Sequence, residues 1–243
     1  MNIIDTEFDV IDIETTGLDP AIHRVVEIAA VPCSLTEGVL VLGTRGSLVD
    51  PLVPIPAAAS AIHHLVDHDV IGEPTLELAV FQLDLLRSSL LPVAHNARFD
   101  SAFLPEIKRP FLCTMRLAQK LWPDLESYGN QFLRYHLKLD IPAEIKLLPM
   151  HRAFPDAVVT ACLLLRELTE VLARATTDEQ RTVEYLMQWV AEPILLSRCK
   201  FGKHKGMLWQ DVPRSYLAWM LSPGGMTDMD DDLRFTVEHY SGN

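Results

Sequence analysis

Residues 8–14 read FDVIDIE, and this short run constrains the fold more than any other. Apolar and acidic positions alternate and the apolar ones are largely β-branched, the pattern of a strand. Alternation points Asp12 and Glu14, two residues apart, to one face. Two carboxylates side by side repel unless a cation lies between them, and a hard divalent ion with oxygen ligands does this well. The solvent side of an edge strand would also accommodate the pair. Thr15-Thr16-Gly17-Leu18-Asp19-Pro20 follows as a turn. A glycine in it lets backbone N–H groups come close to a phosphate. Asp5-Thr6-Glu7 repeats the acidic spacing, but only four residues precede it and no such turn follows.

The chain around this strand has 243 residues, 49% hydrophobic and 22% charged. That is long enough for one or two domains with a core that needs no metal or disulfide staple, and it excludes wholesale disorder. Cys33, Cys113, Cys162 and Cys199 lie far apart with no CxxC pair. We read them as reduced thiols of a cytoplasmic protein without a zinc site. No apolar run approaches the roughly 20 residues that span a bilayer. The first residues, MNIIDTEFD, carry acids where a signal peptide carries bases. No membrane partner is therefore expected. Net charge is −12, so any contact with a polyanion has to be local or bridged by cations. Residues 1–195 hold 15 basic and 27 acidic residues, and residues 196–243 hold six of each. Within 196–210 there are four bases and no acid.

Further strands are expected at 25–33, 39–49, 91–95 and 111–113. Helices are expected at 57–65, 75–90, 98–104, 114–121, 128–137, 155–174 and 178–191. Early strands followed by strand–helix alternation imply a mixed sheet with helices against it. Pro193 breaks the pattern. Beyond it a short strand at 194–196, the segment FGKHKG at 201–206, and helices at 213–221 and 230–240 form a second region.

Two later clusters carry chemistry. In His95-Asn96-Ala97-Arg98-Phe99-Asp100 a strand hands over to a helix, with Asn96 as N-cap and Asp100 in the first turns; an acid there also fits simple dipole stabilisation. In His151-Arg152-Ala153-Phe154-Pro155-Asp156, Pro155 fits the first helical position. Asp156 then opens a long helix and His151 lies on the loop before it.

In order, D-x-E-T-T-G, H-N-A-x-F-D and H-R-A-x-x-D resemble the DEDDh branch of the DnaQ-like 3′→5′ exonucleases. Ala61-Ile62-His63-His64-Leu65 resembles a segment between that family's first two motifs. Phe201 to Gly206, Trp209 and Tyr216-Leu217-Ala218-Trp219-Met220 are similar to the C-terminal segment of the branch's exodeoxyribonuclease X-like members, as are Cys113-Thr114-Met115 and Leu121-Trp122-Pro123. Pro155 directly before the last acid is unusual for the family.

The resemblance implies an α/β, ribonuclease H-like mixed five-stranded sheet flanked by helices, over residues 1–193, and a small α+β module over 194–243. It implies phosphodiester hydrolysis from a DNA 3′ end to 5′-mononucleotides, in repair or proofreading. Two Mg²⁺ ions, replaceable by Mn²⁺, would be held by Asp12, Glu14, Asp100 and Asp156, with His151 as general base. Imidazoles ordinarily titrate near pH 6.5, which suits that task. Thr15, Thr16, Gly17 and Leu18 resemble the loop that contacts the terminal nucleotide, with Leu18 as a wedge. His63, Asn96 and Phe99 are further substrate candidates by position; turn chemistry and core packing are the ordinary roles of such residues. Lys203 and Lys205, with Phe201 and Trp209, could grip single-stranded DNA, or form a solvated turn. Trp219 fits the module's core or a homodimer surface. An RNA exonuclease and a non-catalytic nucleic-acid or polymerase-binding module share the same residues. The acidic surface implies weak or distributive binding.

Overall fold

The computed structural model describes residues 1–39, 43–86 and 89–242. Its centre is β1 (Phe8–Thr15), whose Phe8, Val10, Ile11 and Ile13 are buried. β2 (Val25–Ser34) pairs antiparallel with it, setting Asp12 opposite Ala29 and Glu14 opposite Glu27. The register shifts between Glu14 and Thr15. Such a bulge re-aims side chains at a strand end, here directly beyond the acidic pair.

The expected third strand at 39–49 is two pieces, β3 (Gly38–Val39) and β4 (Arg45–Leu48), both antiparallel to β2. Among the described residues the sheet therefore has six strands and not five. Residues 40–42, on which part of that expectation falls, lie outside the described residues. β5 (Leu91–Ala94) runs parallel to β1, and β6 (Leu112–Cys113) parallel to β5.

The longest helix, Ala153–Arg174, packs on β1 and β2. Ile11 and Ile13 belong to a core cluster with Ala79, Val80, Phe103 and Leu104, which lie in other segments. A strand covered on both sides is a rigid base for side chains at its end. The helix expected over 75–90 spans Leu76–Gln82, and residues 87–88 of that stretch lie outside the described residues. The helix expected at 178–191 begins at Val183. There the hydroxyl of Thr182 accepts the Tyr185 N–H at 3.2 Å, while Glu179–Arg181 forms a 3₁₀ turn.

The chain divides into two compact units: residues 1–118 with 127–190, and residues 119–126 with 191–243. In the second unit the strand expected at 194–196 does not form. Its backbone is taken up by side chains of the helix Asp231–Ser241: Ile194 N–H donates to Asp232 at 2.8 Å and Leu196 N–H to the Thr236 hydroxyl at 2.9 Å. Among the described residues the β pairing of this unit is the antiparallel bridge of Arg198 with Leu208, flanked by backbone hydrogen bonds from Cys199 N–H to Met207, Gly206 N–H to Cys199 and Trp209 N–H to Ser197, so the β part of the expected α+β module is one short hairpin and the rest is helices and turns. Its core is built on Cys199, Trp209, Val212, Leu217, Met220, Leu233 and Val237.

Glu167, on the longest helix, is fully buried and neither carboxyl oxygen has a hydrogen-bond partner among the described residues. Burial drives its pKa well above the usual carboxylate range. A buried polar group without a partner costs about 1–3 kcal/mol. Glu167→Met, similar in length, is expected to raise the melting temperature by a few degrees. An unchanged or lowered melting point in calorimetry would mean that the carboxyl is satisfied in solution.

Candidate active site

The site forms where β1 ends. Asp12 and Glu14 share the strand face predicted from the alternation. Asp100 comes from the helix Ala97–Phe103, which follows β5, and is only 4% exposed. Asp156 comes from the first turn of the longest helix. These side chains lie in one another's field. Burial raises the Asp12 pKa far above the usual carboxylate value, with added repulsion from Asp100, Asp156 and Glu14. Burial first, then repulsion from Asp156 and Glu27 that outweighs the lowering by the Arg152 guanidinium, lifts Glu14 to about 8. Burial likewise lifts Asp100 to about 8, although its own backbone and that of Ile13 pull the other way. Asp156 is raised by burial and moderated by a 2.9 Å hydrogen bond from the His151 N–H and a 3.0 Å bond from the Gln131 amide. Asp5 and Glu7 stay out of this cluster; Asp5 closes a 3₁₀ turn before the strand.

His151 is exposed on the loop before the longest helix. Its φ of 59° is in the left-handed region, where few side-chain-bearing residues sit. The helix starts two residues earlier than its proline suggested, at Ala153, so Pro155 occupies the third position. The cause is Glu27. This single acid in an apolar strand is 9% exposed. Its carboxylate accepts Arg152 Nε at 2.9 Å, Arg152 Nη2 at 2.8 Å and the Ala153 N–H at 3.0 Å. It thus caps the helix from another element and fixes the segment that carries His151 and Asp156. Motif reading passed over Glu27; the available signal was one charge inside VVEIAAVPC.

The other candidates separate into inward and outward sets. Thr15 and Thr16 are buried. The Thr15 hydroxyl donates to the Gly17 carbonyl at 2.7 Å, and the Thr16 hydroxyl accepts the Arg24 N–H at 3.0 Å, so both side chains serve the turn. Gly17 leaves room for a side chain: a Cβ there would come within 2.5 Å of the His23 ring. Leu18 is 82% exposed, free to meet a ligand. His63 is 1% exposed and its Nδ1 accepts the Leu65 N–H at 3.1 Å. Burial lowers its pKa, and the nearby Thr15 backbone raises it less. Asn96 takes the expected N-cap position, in left-handed conformation and without a side-chain cap. Phe99 is half-buried, its ring tilted by 53° against Phe103 at 5.0 Å, and it packs against the core. His95 bridges the Thr114 hydroxyl and the Tyr128 carbonyl, each at 2.8 Å; its pKa falls to about 4 through burial. It is a neutral fastening between segments. Lys203 and Lys205 are exposed in the second unit.

The donor set suits a hard divalent cation: several carboxylates, an imidazole at the rim and no thiolate. Buried like charges with raised pKa values also call for a cation. Among the described residues, no three His, Cys, Asp or Glu side chains close into a ready chelate.

An exonuclease family model matches residues 10–164, which span the three motif clusters. The chain belongs to this exonuclease family. It is 33% identical over 237 residues to exodeoxyribonuclease 10 of Escherichia coli strain K12, covering 96% of this chain and 98% of that protein. Among solved structures it is similar to exonuclease X in complex with 5′ overhanging duplex DNA, with 33% identity and a TM-score of 0.61 over 74% of this chain and 99% of that one. The nuclease domain of 3′hExo, a DEDDh family member bound to rAMP, shares the fold at 14% identity, with a TM-score of 0.54 over 67% of this chain and 92% of that one.

The raised carboxyl groups make stability depend on pH. The fold binds their protons more tightly than the unfolded chain does. Their stabilising effect is complete below the ordinary carboxylate pKa of about 4 and is lost as pH rises through about 8 for Glu14 and Asp100. In chelator, the melting temperature is expected to fall between about pH 5 and 9. Millimolar Mg²⁺ should restore it most at the alkaline end. Differential scanning calorimetry checks this, and a flat profile in chelator contradicts it.

Proposed function

We propose that this protein hydrolyses DNA from the 3′ end and releases 5′-mononucleotides. The observation that carries the reading is the gathering of Asp12, Glu14, Asp100 and Asp156 in a single field beside a loop histidine. Exonucleases of this family use divalent metal ions. Here Asp12, Glu14 and Asp156 would hold one Mg²⁺ or Mn²⁺ ion, and Asp12 and Asp100 a second. When bound, such ions would stabilise the charge on the attacking and departing oxygens.

The chain's own groups do the rest. His151 accepts a proton from the attacking water as the new P–O bond forms; the bond to the penultimate 3′ oxygen breaks, and that oxygen takes its proton from solvent. The His151 N–H to Asp156 hydrogen bond holds base and carboxylate in fixed relation. The Glu27–Arg152 ion pair anchors both. Exposed Leu18 serves as a wedge against the terminal base, and Asn96 and His63 border the substrate.

DNA is favoured over RNA because the similarity to exodeoxyribonuclease 10 runs through nearly the whole chain, second unit included. We assign the protein to DNA repair or proofreading in the cytoplasm. Its four cysteines are free, and no helix among the described residues is long and apolar enough to cross a membrane.

Matched 3′-extended DNA and RNA oligomers, labelled at the 5′ end and incubated with Mg²⁺, test the reading. Stepwise shortening of DNA is expected, abolished by chelator. Asp12→Ala and His151→Ala should each lower the rate by at least a hundredfold, the scale of a lost acid–base group. RNA shortening alone would reassign the substrate. No shortening of either would leave a binding module.

A further inference from the structure

The second unit carries an aromatic surface that the carboxylate site does not use. Trp209, the tryptophan expected to stack on DNA, is 1% exposed and is a core residue, with Phe201 edge-on to it at 6.2 Å. The exposed ring is Trp219, at 48%. It lies on the helix Arg214–Leu221, one turn after Tyr216. The two ring centroids are 5.3 Å apart and tilted by 31°. Lys203 Nζ stands 5.1 Å from the Tyr216 ring centre, and the His204 ring meets Tyr216 edge-on at 4.6 Å. Lys203, Ser215, Tyr216 and Trp219 line an open groove of about 550 Å³.

We propose that Tyr216 and Trp219, with Lys203 beside them, form a platform on which single-stranded DNA stacks its bases. The chemistry of the groove selects this occupant. Aromatic faces accept any base, and a neighbouring ammonium pairs with the backbone phosphate. The charge is local as well. Arg198, Lys200, Lys203, Lys205 and Arg214 fall within 17 residues that hold one acid, Asp211, in a chain of net charge −12.

The platform is also built to stay in place. Gly202 has a φ of +62°, and a Cβ there would come within 3.1 Å of the Tyr216 hydroxyl, so the FGKHKG loop lies directly against that ring. Gly225 seals the other end of the helix, where a Cβ would meet the Trp219 carbonyl oxygen at 1.9 Å. A preorganised ring pair loses little freedom on binding.

This inference rests on the nuclease reading only in naming DNA as the ligand, and the two can fail separately. The full chain is titrated with a fluorescein-labelled 20-nucleotide single strand in chelator, so that no cleavage occurs, and anisotropy is read. Trp219→Ala is expected to weaken binding about tenfold, within the range for one lost base stack. Trp219→Phe should stay within about twofold of the parent, and circular dichroism melts should show both variants folded. Lys203→Gln should reduce the salt slope by about 0.7, the share of one phosphate contact on a single strand. Equal binding by parent and Trp219→Ala would overturn the platform. So would a change of oligomeric state on size exclusion in Trp219→Ala, which would make the surface a contact between copies. Cleavage of the p-nitrophenyl ester of thymidine 5′-monophosphate by the parent, with Mg²⁺, is read separately. Its absence would count against the nuclease reading and leave the binding result standing.

Discussion

The ion pair of Glu27 with Arg152 is the contact on which the rest of the site depends. It joins the strand beside β1 to the residue that starts the longest helix. The packing of that helix on β1 and β2 places Asp156, and the ion pair fixes where the helix begins and so how the loop with His151 enters it. Glu27 also caps that helix through the Ala153 N–H. One carboxylate therefore sets the helix start, aims the loop and adds to the negative field. A buried charge pair with three good hydrogen bonds can hold such geometry, although its net contribution to stability is small.

That geometry works against electrostatics. Four acids are held at one strand end, where burial raises the pKa of each and repulsion from the other acids adds to it at Asp12 and Glu14. A fold maximising its own stability would disperse them. Clusters of this kind mark sites whose charge is completed by a ligand, and a divalent cation is the ligand these oxygens suit. The protein's large negative charge is consistent with this. On the proposed function, polyanion contact would be confined to where cations bind and, on our inference, to the basic aromatic surface around Lys203, Tyr216 and Trp219.

Much of this was legible in the chain because local pattern carried it. Alternation in FDVIDIE placed Asp12 and Glu14 on one face, and the order of the three clusters gave the family and fold. What local pattern could not show was which side chains would complete a backbone from a distance. Leu196 sits in an apolar run that reads as a strand, but Thr236 takes its N–H. Pro155 reads as the first residue of a helix, but Glu27 starts it at Ala153. Gly17 reads as a phosphate approach, and packing adds a second need for glycine there, because a Cβ would meet the His23 ring. Trp209 and Trp219 are equally aromatic in sequence; only packing buries the first and exposes the second.

The central claim is that these dispersed acids form one cation site. Crystals grown with Mn²⁺ and measured at the manganese edge test it most directly. Anomalous peaks bounded by oxygens of Asp12, Glu14 and Asp156, with Asp100 facing them, are the predicted result. Peaks elsewhere, or none at saturating manganese with the four carboxylates still apart, would contradict it.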